Sequence, residues 1–143
     1  MRVVLYTNVV VSALLFEGTV SQIHKQWKSG AIVPVANKAM LEEYARVLSY
    51  KKFSLAEEEI GALFDEEIFP YFSIVRTSLK KIPYPPKDND DIPFLQAAAD
   101  AGASPSSKEG GVQYLISGDP HLLELNGKYP FPIVSPADFS HVL

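Results

Sequence analysis

Residues 2–16 read RVVLYTNVVVSALLF, and this stretch decides the fold. A short apolar run, residues 3–5, is followed by the polar pair Thr7-Asn8 and then by a second apolar run. Thr and Asn side chains accept backbone N–H groups at helix starts, and the residues from Ser12 onward are compatible with a helix. The stretch therefore predicts a strand that runs directly into a helix. The turn between them is expected at the carboxyl edge of a sheet, where open α/β sheets bind their ligands.

The composition is that of an ordinary globular protein. The chain has 143 residues, 47% hydrophobic and 21% charged, with a net charge of −4 and no cysteine. This length predicts one domain over residues 1–143 with a sizeable core. Without cysteine, disulfides and thiolate metal sites are excluded. The acidic balance argues against a protein that coats nucleic acid through overall charge.

No targeting or membrane signal is visible in the sequence. No apolar run approaches the roughly 20 residues that span a bilayer. Asn8 and Ser12 interrupt the N-terminal apolar stretch, so a signal peptide is not expected either. The expected location is cytoplasmic, with no membrane association.

Helix and strand patterns alternate along the rest of the chain. Helices are predicted over 19–30, 38–49, 54–70, 93–101, 120–125 and 136–140, and strands over 32–35, 71–75, 114–117 and 133–134. Alternation of this kind predicts a mostly parallel sheet covered by helices on both faces.

Several boundaries have specific local signals. Gly30 is expected to end the second helix and Asn37 to cap the third. Residues 54–57 read SLAE, which predicts a capping box at the start of the fourth helix. Pro34 argues for an edge or a strand end, since it cannot donate to a ladder. The small, polar residues 102–111 predict a mobile loop.

Acidic residues recur after or before these elements in three motifs. They are LEEYARVL at 41–48, DNDDIPFLQAA at 88–98 and LISGDPHLL at 115–123. Together with VLYTNV at 4–9, their order and their placement resemble the PIN-domain family, which includes metal-dependent ribonucleases and many toxins of bacterial toxin–antitoxin pairs. The likeness spans nearly the whole chain. Residues 104–111 resemble an insertion relative to the shorter members of the family. It implies a PIN-like three-layer α/β/α sandwich.

The resemblance implies catalytic, metal-binding roles for Glu43, Asp91 and Asp119. The expected ions are Mg²⁺ or Mn²⁺, hard cations that take oxygen ligands and can activate water and stabilise charge on a phosphate. The expected lining residues of this site are Tyr6, Thr7, Asn8, Asp88 and Ser117.

One position departs from the family pattern. Tyr6 stands where the family has its first metal-binding Asp, at the end of the first strand. A phenol has a pKa near 10 and is neutral at pH 7, so it replaces a carboxylate ligand poorly. The expected function is therefore a toxin-like endoribonuclease acting on single-stranded RNA, weakened or inactive through Tyr6. Expected partners are an antitoxin protein and a second copy of the chain in a homodimer.

Simpler explanations exist for each acid taken alone. A Glu at position 43 would commonly be solvated, and Asp91 and Asp119 each precede a predicted helix and could serve only as caps. The alternative function is a non-catalytic PIN-fold module that binds RNA or a protein. A receiver- or flavodoxin-like binding domain is disfavoured, because no glycine-rich phosphate loop follows the first strand.

Overall fold

The computed structural model of the chain describes residues 1–18, 20–79, 81–103 and 111–143. Within these residues the strands are β1 (Arg2–Leu5), β2 (Val33–Ala36), β3 (Ser73–Ile74), β4 (Tyr114–Ile116) and β5 (Ile133–Val134). They form one sheet in the order β3-β2-β1-β4-β5, and each neighbouring pair is parallel. The predicted α/β class with a mostly parallel sheet is confirmed.

Helices flank this sheet. They are α1 (Thr7–Leu15), α2 (Ser21–Ser29), α3 (Lys38–Leu48), α4 (Glu57–Leu63), α5 (Ile92–Ala103), α6 (Pro120–Leu123) and α7 (Pro136–Ser140). The chain continues α4 as a π-helical turn over Phe64–Ile68, and forms 3-10 turns at Lys51–Phe53 and Asn89–Asp91. No helix among the described residues is long and apolar enough to cross a membrane.

The central position of β1 follows from its sequence. Val3, Val4 and Leu5 are all inaccessible to solvent. A parallel strand with helices on both faces is apolar on both sides, so its sequence shows no alternation. β1 lies between β2 and β4, and its end, where the chain turns into α1, is therefore in the middle of the carboxyl edge.

A buried hydrogen bond ties α3 to the same strand. The hydroxyl of Tyr44, which is fully buried, donates to the backbone oxygen of Leu5 at 2.6 Å. Buried phenols commonly find such a partner, since an unpaired hydroxyl in the core is costly. The bond fixes the middle of α3 to the last residue of β1.

Two predicted caps are confirmed. Gly30 follows α2 with φ of 85°, in the left-handed region that favours glycine. The Asn37 side chain accepts the backbone N–H of Met40 at 2.9 Å, at the start of α3. The predicted beginning of the second helix at Thr19 lies outside the described residues, which resume one residue before α2.

The predicted capping box over 54–57 is wrong. α4 begins at Glu57, and its first turn is closed by Glu59, which accepts the N–H of Ala56 at 3.0 Å. Ser54 instead adopts a left-handed conformation with φ of 53° and ends the preceding 3-10 turn. The Ser-to-Glu spacing is therefore offset by two residues from the helix start, and an acidic side chain at the third helical position provides the cap.

Pro34 lies in an interior strand rather than on an edge. β2 is paired with β1 on one side and with β3 on the other. The β3 pairing begins at Val35, one residue after the proline, so the missing N–H of Pro34 faces no β3 partner. The strand-end alternative therefore fits, and β3 itself is shorter than the five residues predicted. Most of the loop predicted over 102–111, and the insertion at 104–111, lie outside the described residues.

Candidate active site

The site is built where β1 and β4 end side by side. The backbone N–H of Tyr6 donates to the backbone oxygen of Ile116 at 2.9 Å, so the pairing of the two strands continues into their turns. Tyr6 leads into α1, and residues 117–119 lead from β4 into α6. This alignment brings the side chains of the two turns together.

Asp119 is held firmly by its own turn. Its backbone N–H donates to the hydroxyl of the buried Ser117 at 2.9 Å, and its Oδ1 accepts the N–H of His121 at 2.8 Å. Asp119 therefore caps α6, as its position before a helix suggested. Its second oxygen, Oδ2, accepts the Tyr6 hydroxyl at 3.3 Å, which a cap alone does not require.

Asp91 is a buried carboxylate that lacks ordinary partners. It is inaccessible to solvent, and neither of its side-chain oxygens forms a hydrogen bond that meets full geometric criteria. Its position is fixed by the backbone, because Asp88 accepts the N–H of Asp90 and Asn37 donates to the backbone oxygen of Pro93. An unpaired buried carboxylate is costly unless it is protonated or paired with a cation.

The surroundings of Asp91 shift its proton affinity. The pKa of Asp91 is raised to about 6, mainly by burial and in addition by the charges of Asp119 and Asp88. The Tyr6 hydroxyl acts in the opposite direction and lowers it. The phenol thus interacts with Asp91 as well as with Asp119, although only its contact to Asp119 has full hydrogen-bond geometry.

Tyr6 stands between the two acids as a neutral donor. Burial, together with the neighbouring carboxylates of Asp91 and Asp119, raises the pKa of Tyr6 far above its usual value. Its ring packs against Phe94 with centroids 4.9 Å apart, which holds the hydroxyl over the acids. The phenol provides a proton donor where two carboxylates face each other.

Glu43 and Tyr6 line the same cleft, but the Glu43 carboxylate is paired with Arg46. Arg46 donates to both of its oxygens, from Nη2 at 2.6 Å and from Nε at 3.0 Å. This two-point ion pair along α3 neutralises the carboxylate. The cleft, about 720 Å³ in volume, is lined by Glu43 and Tyr6 together with Thr7 and Asn8.

The structure places the remaining sequence-predicted residues at different depths. Thr7 is buried at the start of α1, and its Oγ1 has no hydrogen-bond partner among the described residues. Asn8 is exposed on the cleft wall, Asp88 is exposed beside Asp91, and Ser117 is buried beneath Asp119. Tyr6, Asp91 and Asp119 are thus brought together, whereas Glu43 is on the cleft but paired with Arg46.

These residues do not fit a resident divalent cation. In the part of the chain that the structure describes, no three His, Asp or Glu side chains are grouped so that they could hold a metal ion. Asp91 and Asp119 interact with each other, and the group that interacts with both of them is the neutral Tyr6 hydroxyl rather than a further carboxylate. A hard ion needs several oxygen ligands at short range.

Two contributors were not foreseen from the sequence. Arg46 neutralises Glu43, and Phe94 supports the Tyr6 ring. The first had a usable signal, because residues three apart on a helix are neighbours and an acid followed by Arg at that spacing commonly pairs. The second depends on how α5 packs near β1, which periodicity does not reveal.

Comparison with known families agrees with this architecture. The profile of the PIN domain matches residues 2–121, which is most of the chain. The chain therefore belongs to the PIN-domain family, whose members are in general nucleases that act on RNA and typically use divalent metal ions. No curated protein matches the chain.

Proposed function

We propose that this chain is a toxin-like PIN-domain endoribonuclease whose Mg²⁺- or Mn²⁺-dependent cleavage of single-stranded RNA is weakened or lost because of Tyr6. The observation that carries the proposal is the Tyr6 hydroxyl, bonded to Asp119 at 3.3 Å and also interacting with Asp91. Family membership supports the ribonuclease class.

Tyr6 places a neutral phenol where a metal-dependent site would have a charged carboxylate. In a metal nuclease, several carboxylates repel one another until a cation neutralises them. Here a neutral phenol donates a proton toward the acids instead, and Arg46 neutralises Glu43. The proposed catalytic and metal-binding residues are Glu43, Asp91 and Asp119. Arg46 balances the charge of Glu43, the phenol donates to Asp119, and the raised pKa of Asp91 favours its neutral form, so the attraction of these acids for a cation is reduced. The lining roles of Thr7, Asn8, Asp88 and Ser117 belong to the same proposal.

The test is restoration of the carboxylate with Tyr6→Asp. We expect tighter binding of Mg²⁺ or Mn²⁺ by calorimetry, and EDTA-sensitive cleavage of an unstructured RNA at least tenfold faster than that of the parent chain. A tenfold gain corresponds to only about 1.4 kcal/mol of transition-state stabilisation. Tyr6→Phe is the matched control, since it removes the hydroxyl without adding a ligand, and it should give no gain. Asp119→Asn in the Tyr6→Asp background should abolish the gain.

Two outcomes would count against this proposal. Strong EDTA-sensitive cleavage by the parent chain, unchanged by Tyr6→Asp, would show that Tyr6 is tolerated in a working site. Absence of cleavage in both proteins would favour the second candidate, a non-catalytic PIN-fold module that binds RNA or a protein. The observation favouring that candidate is the two-point ion pair, which already satisfies Glu43.

The finer expectations about context also belong to this proposal. We take residues 1–143 as a single cytoplasmic PIN-like domain with an antitoxin protein as partner. We also propose a homodimer, supported by the apolar residues around positions 60–72, among which Phe69 is about half accessible on the described surface. A monomeric mass by light scattering at micromolar concentration would contradict the dimer.

A further inference from the structure

Three aromatic side chains lie along the cleft beyond the acids. Phe16, Tyr50 and Phe53 line the same cleft as Tyr6 and Glu43, and we name these three the aromatic wall. Phe16 is 57% exposed and Tyr50 is 40% exposed, although both are large rings that would normally be covered. Phe16 and Phe53 form a tilted pair with ring centroids 6.2 Å apart. Ring faces are thus presented to solvent next to the candidate active site.

Cations accompany these rings. The Lys52 ammonium lies over the Phe53 ring at 5.1 Å from its centroid, and the Arg46 guanidinium lies over the Tyr50 ring at 5.8 Å. Arg46 also donates to the Tyr50 hydroxyl at 2.9 Å, which holds that ring in place. Lys52 forms no ion pair with any described residue, whereas the charge of Arg46 is balanced by Glu43. One uncompensated positive charge therefore stands beside the rings.

Polar groups also line the cleft, beside the aliphatic Val11 and Val47. The amide of Asn8 and the hydroxyl of Ser12 can hydrogen-bond to a polar ligand there. The cleft volume of about 720 Å³ is in the range, roughly 300–1,000 Å³, that holds compact ligands. Exposed ring faces, a free cation and hydrogen-bonding groups in one open cleft are the features of a surface that binds unpaired nucleotides.

We propose that the aromatic wall stacks unpaired RNA bases and that Lys52 contacts the neighbouring phosphate. This proposal rests on the proposed function for its ligand class. It assigns the residues that bind single-stranded RNA next to the acidic residues of the candidate active site. Single-stranded RNA is favoured over a protein ligand because stacking on rings needs no large aliphatic area, and the charge of Lys52 complements a phosphate. Binding by this wall is independent of metal, so it persists whether or not the acids support cleavage.

The test measures binding without cleavage, in EDTA, by fluorescence anisotropy. The probes are a labelled unstructured RNA of about ten nucleotides and an oligomer of the same length and charge that lacks bases. We expect the parent chain to bind the RNA at least tenfold more tightly than the abasic oligomer, because each stacked base contributes a large part of the affinity.

Substitutions in the wall give the second arm. Phe16→Leu and Tyr50→Leu keep apolar volume but remove the ring, and each should weaken RNA binding about tenfold while leaving abasic binding unchanged. Tyr50→Phe keeps the ring face and should retain the affinity. Tyr84→Leu is the matched control, because Tyr84 is 47% exposed, its ring contacts Tyr129 and the Lys128 ammonium, and it is not among the residues that line the cleft.

Lys52→Gln tests the phosphate contact. This variant should bind both probes more weakly. The slope of the logarithm of the binding constant against the logarithm of salt concentration should change by roughly 0.7, which corresponds to one phosphate contact. Unfolding temperatures of all variants, measured in parallel, identify any loss that comes from misfolding.

The outcomes separate this proposal from the proposed function. Equal affinity for both probes, or equal losses in Phe16→Leu and Tyr84→Leu, would overturn base stacking while leaving RNA as the ligand. RNA affinity that is unchanged by the substitutions in the aromatic wall would likewise overturn base stacking, and it is the result expected if the cleft binds a protein instead. Absence of any RNA binding by the parent chain would overturn both the wall and the RNA function. Base-dependent binding without cleavage in Tyr6→Asp would support the wall and contradict only the ribonuclease assignment.

Discussion

Two aspartates at opposite ends of α5 differ in a way that separates structure from function. Asp100, near the end of the helix, accepts the N–H and the hydroxyl of Ser78 at 2.9 and 2.6 Å, and the Gln96 amide at 3.0 Å. Asp91, just before the helix, is also buried, yet its carboxylate oxygens accept no hydrogen bond from the described residues. Both carboxylates cost free energy to bury, but only that of Asp100 is offset by donors from the fold. The unpaired one faces Tyr6 and Asp119, and we take it as part of the site.

The strongest way to test this contrast is to remove the satisfied carboxylate. Asp100→Ala removes the buried acceptor of three hydrogen bonds, two from Ser78 and one from the Gln96 amide, and each such loss costs about 1–3 kcal/mol. We expect the free energy of unfolding to fall by about 3 kcal/mol, or roughly 6–12 °C in Tm. Chemical denaturation measures it, with the exposed Asp65→Ala as control. A loss below about 1 kcal/mol would show that water replaces the carboxylate.

Replacing the carboxylate of Asp91 should change the free energy of unfolding in the opposite direction, toward greater stability. Its folded-state pKa of about 6 lies above the ordinary 3.8, so between these values the native protein holds a proton that the unfolded chain has released. The stabilising effect of that proton is complete below about pH 4 and is lost as the pH rises through about 6. Asp91→Asn has no carboxyl group to deprotonate, so this fall in stability with rising pH should be absent from the variant.

We therefore expect Asp91→Asn to be nearly neutral at pH 4 and to stabilise the protein by about 1–2 kcal/mol at pH 8. This range is set below the full pKa difference because solvent near the cleft screens the charges. Thermal unfolding from pH 4 to pH 8 measures the effect, with Asp138→Asn at an exposed position as control. A gain that does not depend on pH would contradict the assignment of the raised pKa to Asp91.

A smaller effect is expected when the donor between the acids is removed. Tyr6→Phe loses the hydrogen bond to Asp119 and the interaction that lowers the pKa of Asp91. We expect the unfolding free energy to fall by about 1 kcal/mol at pH 7.5, and the pKa of the Asp91 carboxyl, followed by carbon NMR, to rise above about 6.

The control for this change is Tyr114→Phe, because the Tyr114 hydroxyl forms no hydrogen bond within the described residues. An unchanged carboxyl titration in Tyr6→Phe would mean that the phenol does not influence Asp91. Because Asp91 and Asp119 interact, the titration is read as the behaviour of the pair.

The smallest effect is expected at Thr7, whose buried hydroxyl lacks a partner. Thr7→Val keeps the shape and removes the unpaired group, so stability should be unchanged or rise by up to about 0.5 kcal/mol. The exposed Thr77→Val provides the comparison in the same denaturation experiment. A loss of more than about 1 kcal/mol would show that the hydroxyl is satisfied in solution, and Thr7 would then resemble Asp100 rather than Asp91.

Much of the fold could be predicted because its signals are local. The polar Thr7 after an apolar run correctly marked where β1 turns into α1, but the expected capping by its side chain is wrong, because no side chain caps α1 among the described residues. The side chain of Asn37 does cap α3, as predicted. Pro34 was harder, since a proline interrupts only one side of a strand, and which side lacks a partner depends on where β3 begins. The capping signal at Ser54 failed because an acid two residues further along provided the cap.

The site could be predicted less completely, because its state depends on contacts between distant residues. Sequence likeness pointed to Asp91 and Asp119 and placed Tyr6 beside them, but it did not show that the Tyr6 hydroxyl interacts with both acids. Likeness also pointed to Glu43 without showing that Arg46 holds both of its oxygens. A motif indicates which residues are near a site, and it leaves open whether each is free or already paired.

The hydrogen bond from Tyr44 to the backbone of Leu5 has a mechanical consequence. Tyr44 is the residue after Glu43, and Leu5 is the residue before Tyr6, so this 2.6 Å bond joins the two walls of the cleft one residue behind each of them. The cleft cannot widen through a movement of α3 without pulling on the peptide that carries the phenol. The bond therefore resists separation of the two cleft walls and limits the size of ligand that the cleft admits while the bond is intact.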